Sequence, residues 1–344
     1  MSATAGKQTW GNLPGAALSL AIAEAASNAG RFTLLLTADS QAADRLEQEL
    51  RFFAPDLPVL PFPDWETLPY DLFSPHQDII SQRIASLYRL PELSHGILVV
   101  PVTTALHRLA PTRFLLGSSL VLDVGQTIDV EQMRTRLEAS GYRCVDTVYE
   151  HGEFAVRGAL IDLFPMGSKL PYRIDLFDDE IETLRTFDPE TQRSIDKVDS
   201  VRLLPAREFP MQKEEVTRFK ARFRERFDVD FRRSAIFQDL ASGIIPAGIE
   251  YYLPLFFEER PPCSTICRPT PRCFRCLAWN RPPNTSGTTC AAVMKTAVAT
   301  SAGRCCRLPS CSCQWRTASP GSSSGREWWS AAKTSNRARA ASAS

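Results

Sequence analysis

The segment from Phe154 to Phe187 constrains the fold more than any other part of the chain, because its apolar residues recur at every second position. Pro165, Gly167 and Pro171 interrupt the run, and Asp178-Asp179 supplies a second turn. Alternation broken by turn residues is typical of short strands joined by tight connections. The segment therefore predicts a small antiparallel sheet.

Within this segment the strand PYRIDLF has two different faces, since side chains alternate across a strand. The alternation gives an apolar face of Tyr172, Ile174 and Leu176 and a mixed face of Arg173, Asp175 and Phe177. Arg157 adds a guanidinium from the preceding strand. One interpretation is a docking surface in which the ring anchors a partner and the arginines bind its carboxylates. The other is a solvated face with one exposed phenylalanine.

Four blocks carry a resemblance to a known family. HGEFAVRGALIDLFPMG and PYRIDLFDDEIETLRTFD resemble the bacterial transcription-repair coupling factors, in the amino-terminal module that is related to the excision-repair helicase UvrB. DWETLPYDLFSPHQDIISQRIASLYRL and PAGIEYYLPLFFEE match the same family, so the resemblance covers roughly Trp10 to Glu259. It implies a module that recruits the damage sensor UvrA to stalled RNA polymerase. It also implies UvrA-binding residues at Arg157, Arg173 and Phe177, with Arg185 and Glu182 as lesser candidates.

Residues 1–117 alternate helical and strand patterns, which predicts an α/β domain with a parallel sheet. The loop GNLPGAAL, with Gly11 and Gly15, precedes its first helix. A phosphate loop needs a lysine and a hydroxyl there, but Ala17 and Leu18 stand at those positions. We therefore expect a degenerate P-loop without hydrolysis, no catalytic residue and no bound cofactor, whereas the full-length family uses ATP and magnesium.

Residues 118–206 change to strands plus one helix, which predicts an inserted α+β domain with an antiparallel sheet. The resemblance implies that this domain docks UvrA. Residues 207–259 return to helical patterns, with Val216, Phe219, Phe223 and Phe227 on one helix face. We interpret this last part as the beginning of a segment that completes the first domain.

No metal site is expected. Asp64, Glu66, Asp71, His76 and Asp78 lie close in sequence and include ligand types for hard cations and zinc. However, an acid at the start of a helix offsets the helix dipole, and the neighbouring aromatic residues suit packing. The four histidines are scattered without metal-ligand spacing.

Residues 260–344 differ sharply in composition from the rest. They hold nine of the ten cysteines, with 13 Lys or Arg and one acid, against 27 and 38 in the first 259 residues. A zinc module built on Cys273, Cys276, Cys311 and Cys313 is one interpretation. The other is translation out of frame: with suitable degenerate codons, reading RPPCSTICRPTPRCFRCL two nucleotides later gives ATLFDYLPADTQVFSL, which resembles the family's continuation. We predict an aberrant, disordered tail.

These patterns rank the function classes. A non-catalytic UvrA-docking adaptor, truncated before the polymerase-binding and translocase domains, comes first, so that RNA polymerase and DNA would be reached only through domains missing here. The alternatives are an ATP-dependent translocase or helicase, a zinc-dependent interaction module and an inert truncated product. The acidic body argues against general nucleic-acid affinity. Neither a signal peptide nor a membrane span is visible, so we expect a cytoplasmic protein without membrane contact.

Overall fold

A computed structural model describes residues 7–11, 13–69, 72–227, 229–257, 272–277 and 291–296. The chain divides into two units, Met1–Ser301 and Ala302–Ser344, and every described residue belongs to the first. Its strands are β1 Lys7–Trp10, β2 Phe32–Thr37, β3 Val59–Pro61, β4 Gly96–Pro101, β5 Leu120–Asp123, β6 Arg143–Cys144, β7 Glu153–Arg157, β8 Leu160–Leu163, β9 Tyr172–Phe177, β10 Glu180–Phe187, β11 Ser194–Val198, β12 Ser200–Leu203, β13 Arg272–Leu277 and β14 Ala291–Thr296. Its helices are α1 Ala17–Ala29, α2 Ser40–Phe53, α3 Gln77–Arg89, α4 Thr112–Gly117, α5 Val130–Ala139, α6 Lys213–Arg226 and α7 Ala235–Ala241. Short 3-10 turns lie at Leu90–Glu92, Thr104–Leu106, Phe231–Arg233 and Ile249–Leu255.

The first sheet has the order β1-β14-β13-β2-β4-β3. The pairs β13–β2, β2–β4 and β4–β3 are parallel, as the α/β pattern predicts, whereas β14 pairs antiparallel with both of its neighbours. Strands β2 and β4 are mostly buried because both faces of the sheet are covered. Leu35 and Val99 pack against α1 and α2, while Leu34 and Leu98 pack on the side of α3.

Local signals explain the boundaries of the first helices. Helix α1 ends at Gly30, which adopts the left-handed conformation (φ 59°) that glycine reaches without steric cost. Helix α2 begins after Asp39, whose carboxylate accepts a hydrogen bond from the Ala42 backbone N–H at 2.8 Å. The sequence pattern predicts both helices, and the structure confirms them.

The second sheet is the predicted antiparallel sheet, with the order β11-β10-β9-β8-β7-β6. Only its short edge pair β6–β7 is parallel. The segment VDSVRLLPA, residues 198–206, contributes to two different ladders. The segment is split: Val198 ends β11, while β12 pairs with β5 in a separate two-stranded ladder with Val201 opposite Leu122. The first and last strands of the predicted inserted domain, β5 and β12, are thus paired with each other.

One apolar core runs through both sheets. The inner face of the antiparallel sheet, with Phe154, Ile161 and Ile174, shares a cluster with Leu34 and Ile84 of the α/β part. The predicted division between residues 117 and 118 is therefore not a gap in packing. The inner face of the antiparallel sheet packs against the α/β part. The outer face of this sheet is therefore the one that could bind a partner.

The segment after β12 builds an aromatic cluster of its own. Phe219 and Phe223 of α6 are buried there, beside Phe237 and Phe256, whereas Val216 and Phe227 are half-buried. The predicted apolar face of this helix is confirmed.

The prediction of a disordered tail does not hold for β13 and β14, which pair with each other within the first sheet. All other residues of 260–344, including Cys311 and Cys313 of the zinc interpretation, lie outside the described residues. No helix in the described part of the chain combines the length and apolar character that a membrane crossing requires.

Candidate docking surface

Strand pairing brings the predicted site residues together on the outer face of the antiparallel sheet. Asp162 of β8 lies opposite Arg173 of β9, which lies opposite Arg185 of β10. Leu160 lies opposite both Arg157 of β7 and Asp175 of β9. On β9 the predicted alternation is observed: Ile174 and Leu176 are buried, and Phe177 is exposed.

Arg157 and Arg173 meet on one carboxylate. Arg173 donates from Nε to Asp162 Oδ1 at 2.7 Å and from Nη2 to Oδ2 at 3.0 Å, a two-pronged ion pair. Arg157 donates from Nη2 to the same Oδ2. The Asp162 side chain is fully buried. Its hydrogen bonds raise the pKa of Arg173 above the ordinary value, so the guanidinium stays charged.

Arg173 is held on its other sides as well. Its guanidinium carbon lies 4.7 Å from the centre of the Phe187 ring, and Nη1 donates to the Gln192 carbonyl at 3.1 Å. Gln192 has a left-handed backbone (φ 59°) in the loop between β10 and β11. Only 16% of the Arg173 side chain is exposed, against 45% for Arg157. Arg173 therefore makes chiefly internal contacts, and Arg157 is the more accessible of the two.

Beside this cluster lies a shallow open depression of about 390 Å³, lined by Arg157, Ala159, Leu160, Asp175, Leu176, Glu182 and Arg185. Asp175 accepts a hydrogen bond from Thr183 at 2.7 Å and lies 3.7 Å from Arg185 Nε. That nitrogen is buried and has no hydrogen-bond partner among the residues that the structure describes. The two lesser candidates, Arg185 and Glu182, thus belong to this depression.

Phe177 lies beyond Asp175 at the end of β9, where the chain turns through Asp178 in a left-handed conformation (φ 55°). Its ring is 70% exposed and lies outside the lining of the depression. The structure therefore joins Arg157 and Arg173 through a shared carboxylate and places Phe177 on the same face as a separate, accessible ring.

The sequence that forms this surface is similar to sequences of known proteins. The sequence model of the UvrB interaction domain matches residues 120–209, which include every strand that forms the outer face. The transcription-repair-coupling factor of Escherichia coli is 49% identical over 252 residues, 73% of this chain and 22% of that protein. This chain belongs to the transcription-repair-coupling factor family.

Two further relatives show how far the match extends. The transcription-repair-coupling factor of Haemophilus influenzae is 47% identical over 72% of this chain and 22% of its own length, and that of Bacillus subtilis 31% identical over 64% and 18%. The chain therefore spans about a fifth of the length of these coupling factors.

Two residues of the surface are missing from the sequence predictions. Asp162 and Phe187 hold Arg173, yet Asp162 lies in an apolar run and Phe187 at the end of an alternating strand, and both patterns predict only core positions. A signal was available for Asp162. In LIDL it is the one acid among apolar residues, and an ion in such a strand requires a partner of opposite charge.

The loop before α1 has the predicted residues in a strand–loop–helix arrangement. Gly15 has a left-handed backbone (φ 56°) just before α1. Ala17 begins the helix, while Leu18 is buried in the core on α1. The next hydroxyl, that of Ser19, is buried and donates to Glu49 Oε2. The described side chains here thus point to packing, and Gly11 is exposed in the loop.

The acids weighed as metal ligands have other partners. Asp64 accepts hydrogen bonds from Thr103 at 2.6 Å and Thr104 at 3.0 Å. Burial opposes ionisation of Asp64, but these bonds and one from the Glu66 N–H leave its pKa lowered overall. Asp78 lies in the first turn of α3, 2.7 Å from His151 Nδ1. Among the described residues, which exclude Asp71, no three such side chains are grouped to hold a metal ion.

Proposed function

We propose that the outer face of the antiparallel sheet is a docking surface for UvrA, and that this chain acts as a non-catalytic adaptor in transcription-coupled repair. The observation that carries the proposal is Phe177, a 70% exposed ring on the same strand face as the arginine cluster, inside the UvrB interaction domain match. Aromatic rings and arginines are the residues that most often dominate the binding energy of protein interfaces.

The two kinds of side chain would act differently in such an interface. Phe177 offers apolar surface that a partner pocket would remove from water, worth about 1.5–3 kcal/mol when fully buried. Arg157 keeps most of its N–H donors away from Asp162 and is available to carboxylate or carbonyl acceptors. Arg173 would contribute mainly by fixing the surface beneath them.

The test is binding of the purified chain to purified UvrA, with two matched phenylalanine variants. We expect Phe177→Ala to weaken binding at least tenfold, about 1.4 kcal/mol. Phe52→Ala is the control, because Phe52 is 79% exposed on α2, outside residues 120–209. That variant should bind like the parent.

Two outcomes would contradict the proposal. One is a folded parent that does not bind UvrA at micromolar concentration. The other is an equal loss in both phenylalanine variants, because this would indicate a general apolar effect and not a defined surface. Circular dichroism of each variant establishes that it is folded before its binding is compared.

We further propose that the loop from Gly11 to Leu18 does not support ATP hydrolysis. Ala17 and Leu18 lack the ammonium and hydroxyl groups that hold phosphate and magnesium, and Leu18 is packed in the core. Purified chain is expected to release no phosphate from ATP above the buffer rate, with or without DNA. Turnover that disappears in a Gly15→Val variant would contradict this and favour the translocase alternative.

In this proposal, contacts with RNA polymerase and DNA belong to the parts of longer family members that the chain does not match. The out-of-frame origin of residues 260–344 is part of the same proposal. Its support is the composition change at that point and the alternate reading ATLFDYLPADTQVFSL. Sequencing the gene tests it: an uninterrupted frame with no slip between the codons for Glu259 and Pro262, matched in closely related strains, would remove it.

A further inference from the structure

The Asp162 carboxylate is buried in the middle of β8, yet all of its described side-chain partners lie on the outer face. It accepts from Arg157 Nη2, Arg173 Nε and Arg173 Nη2. Two guanidinium groups share one carboxylate, so the hydrogen-bonded groups of Arg157, Arg173 and Asp162 together carry one surplus positive charge, and Asp175 is a further acid that attracts Arg173. Arg173 is nearly covered, whereas 45% of Arg157 is exposed. The surplus charge therefore reaches solvent through Arg157.

We propose that Asp162 is the positioning residue of the docking surface: it fixes the guanidinium of Arg157 at the edge of the depression and locks Arg173 beneath it. The inference rests on the proposed function, since it concerns how that surface is made ready for UvrA. A free arginine loses rotamer entropy when it binds, and an arginine already held by a buried carboxylate loses less. Asp162 thus acts through Arg157 and does not touch the partner.

The surroundings of Arg173 support this division of roles. Phe187 lies under one side of its guanidinium, and the Gln192 carbonyl accepts from Nη1. The Gln192 side chain is itself held, because its Nε2 donates to the carbonyls of Pro189 at 2.7 Å and Val148 at 3.1 Å. Arg173 is therefore a rigid brace, which keeps the Asp162 carboxylate in place for Arg157.

If Asp162 positions Arg157, the effects of substituting these two residues on UvrA binding should be coupled, whereas a purely structural role of Asp162 predicts independent effects. Asp162→Asn keeps the shape but removes the charge that holds both arginines. We expect it to weaken UvrA binding at least about tenfold, whereas Asp196→Asn, an exposed acid on β11, should leave binding unchanged. In an Arg157→Ala background the Asp162→Asn change should cause less than about a twofold further loss, because the group it positions is absent.

A second measurement reads the arginine directly in the free chain. The Arg173 Nε–H is bonded to Asp162 and should exchange slowly with water, as an assigned nitrogen-proton resonance would show. In Asp162→Asn its exchange is expected to become at least about tenfold faster, while backbone resonances of the inner-face residues Phe154 and Ile174 stay unchanged. A simple loss of stability would instead accelerate exchange throughout the sheet.

The outcomes separate the inference from the proposed function. If the parent binds UvrA and Asp162→Asn binds equally well, the inference is overturned and the docking function stands. If the folded parent does not bind, both are overturned. If Asp162→Asn fails to fold, the double variant Asp162→Asn, Arg173→Gln removes one charge of each sign and still frees Arg157. Binding as weak as that of Arg157→Ala would support the inference, and parent-like binding would overturn it.

Discussion

Two arginine–carboxylate clusters in the described part of the chain have similar composition but lie in opposite environments. In one, Arg83 of α3 binds Glu208, just after β12; in the other, Arg157 and Arg173 bind Asp162 on the antiparallel sheet. Both place an arginine over aromatic rings, 4.3 Å from the centre of Phe62 for Arg83 and 4.7 Å from Phe187 for Arg173. The first is sealed inside the molecule, and the second opens to its surface.

The sealed cluster is complete without a partner. Arg83 and Glu208 are both fully buried, joined at 2.6 Å and 3.3 Å, and Arg83 Nη1 donates to the Pro63 carbonyl at 2.8 Å. One positive charge meets one negative charge. Nearby, His107 stacks on Trp65 at 4.5 Å, and burial, followed by the Arg83 charge, lowers the pKa of His107. Such a cluster fixes how α3, the loop after β3 and the segment after β12 fit together.

The open cluster has two arginines for one carboxylate, and part of one arginine remains in contact with solvent. The two clusters show that an arginine beside an aromatic ring is not in itself a sign of a binding surface. Charge balance and exposure decide: a balanced, buried pair is structural, and an unbalanced cluster at the surface is available to a ligand. Substitutions in and beside each cluster test this distinction.

The largest effect on stability should come from Arg83→Met. It leaves the Glu208 carboxylate buried without its counter-ion, and breaking a buried pair in this way costs about 3–5 kcal/mol. Urea unfolding of the purified chain, followed by circular dichroism, measures this loss. At a temperature where the variant is still folded, its affinity for UvrA should stay within about twofold of the parent, because Arg83 is remote from solvent.

The double variant Arg83→Met, Glu208→Leu serves as the control, because it removes both charges together. Replacing a buried pair by apolar residues is often neutral, so most of the lost stability should return. A loss below about 1 kcal/mol in the single variant would show that Glu208 finds another partner or water, and the description of this cluster as sealed would then fail.

The next effect concerns Glu250, which lies beside the sealed cluster and accepts a hydrogen bond from Ser74 at 3.1 Å. Burial, reinforced by the charge of Glu208, raises the pKa of Glu250 to about 7 from an ordinary value of 4.5. The folded protein therefore holds a proton that the unfolded chain releases between about pH 4.5 and 7. Stability contributed by this group is present below pH 4.5 and falls as pH rises through that interval.

Glu250→Gln removes this titration. At pH 8 it should be more stable than the parent by on the order of 2–3 kcal/mol, and at pH 4 the two should be nearly equal. The difference in unfolding free energy between variant and parent, measured by urea titration across pH 4–8, isolates Glu250 from other acids such as Glu153, whose pKa is lowered. A difference that does not change with pH would contradict the prediction.

The sequence predicted the second sheet well because alternation is a local property. Ile174 and Leu176 face the core and Phe177 faces solvent, as period-two reasoning requires. Arg83, by contrast, lies in a helix whose pattern indicates only amphipathicity, and its partner Glu208 is 125 residues further along the chain. His151 and Asp78 are separated by 73 residues. Periodicity carries no information on which distant segments meet, so these charges could not be paired in advance.

The same reason explains the partial success at the docking surface. Arg157, Arg173 and Phe177 were placed on one face by alternation and by family resemblance, but neither shows which arginine is exposed. The exposure of Arg173 depends on Phe187 at the end of β10 and on the following loop, which carries Gln192; both cover the Arg173 side chain. The accessible and the bracing arginine could be told apart only once the strands were paired.

The smallest effect on stability is expected for Arg157→Ala. Arg173 keeps both of its bonds to Asp162, so the carboxylate is not left alone, and a half-exposed ion pair contributes about 0–1 kcal/mol. Unfolding free energy should therefore change by less than about 1 kcal/mol, while affinity for UvrA falls at least about tenfold. Arg83→Met should give the reverse order, a large loss of stability with little change in affinity. If Arg157→Ala lowered stability as much as Arg83→Met, or left UvrA binding intact, then exposure and charge balance would not separate the two clusters. The open cluster would have to be assigned to the architecture of the sheet, with Phe177 alone left to anchor a partner.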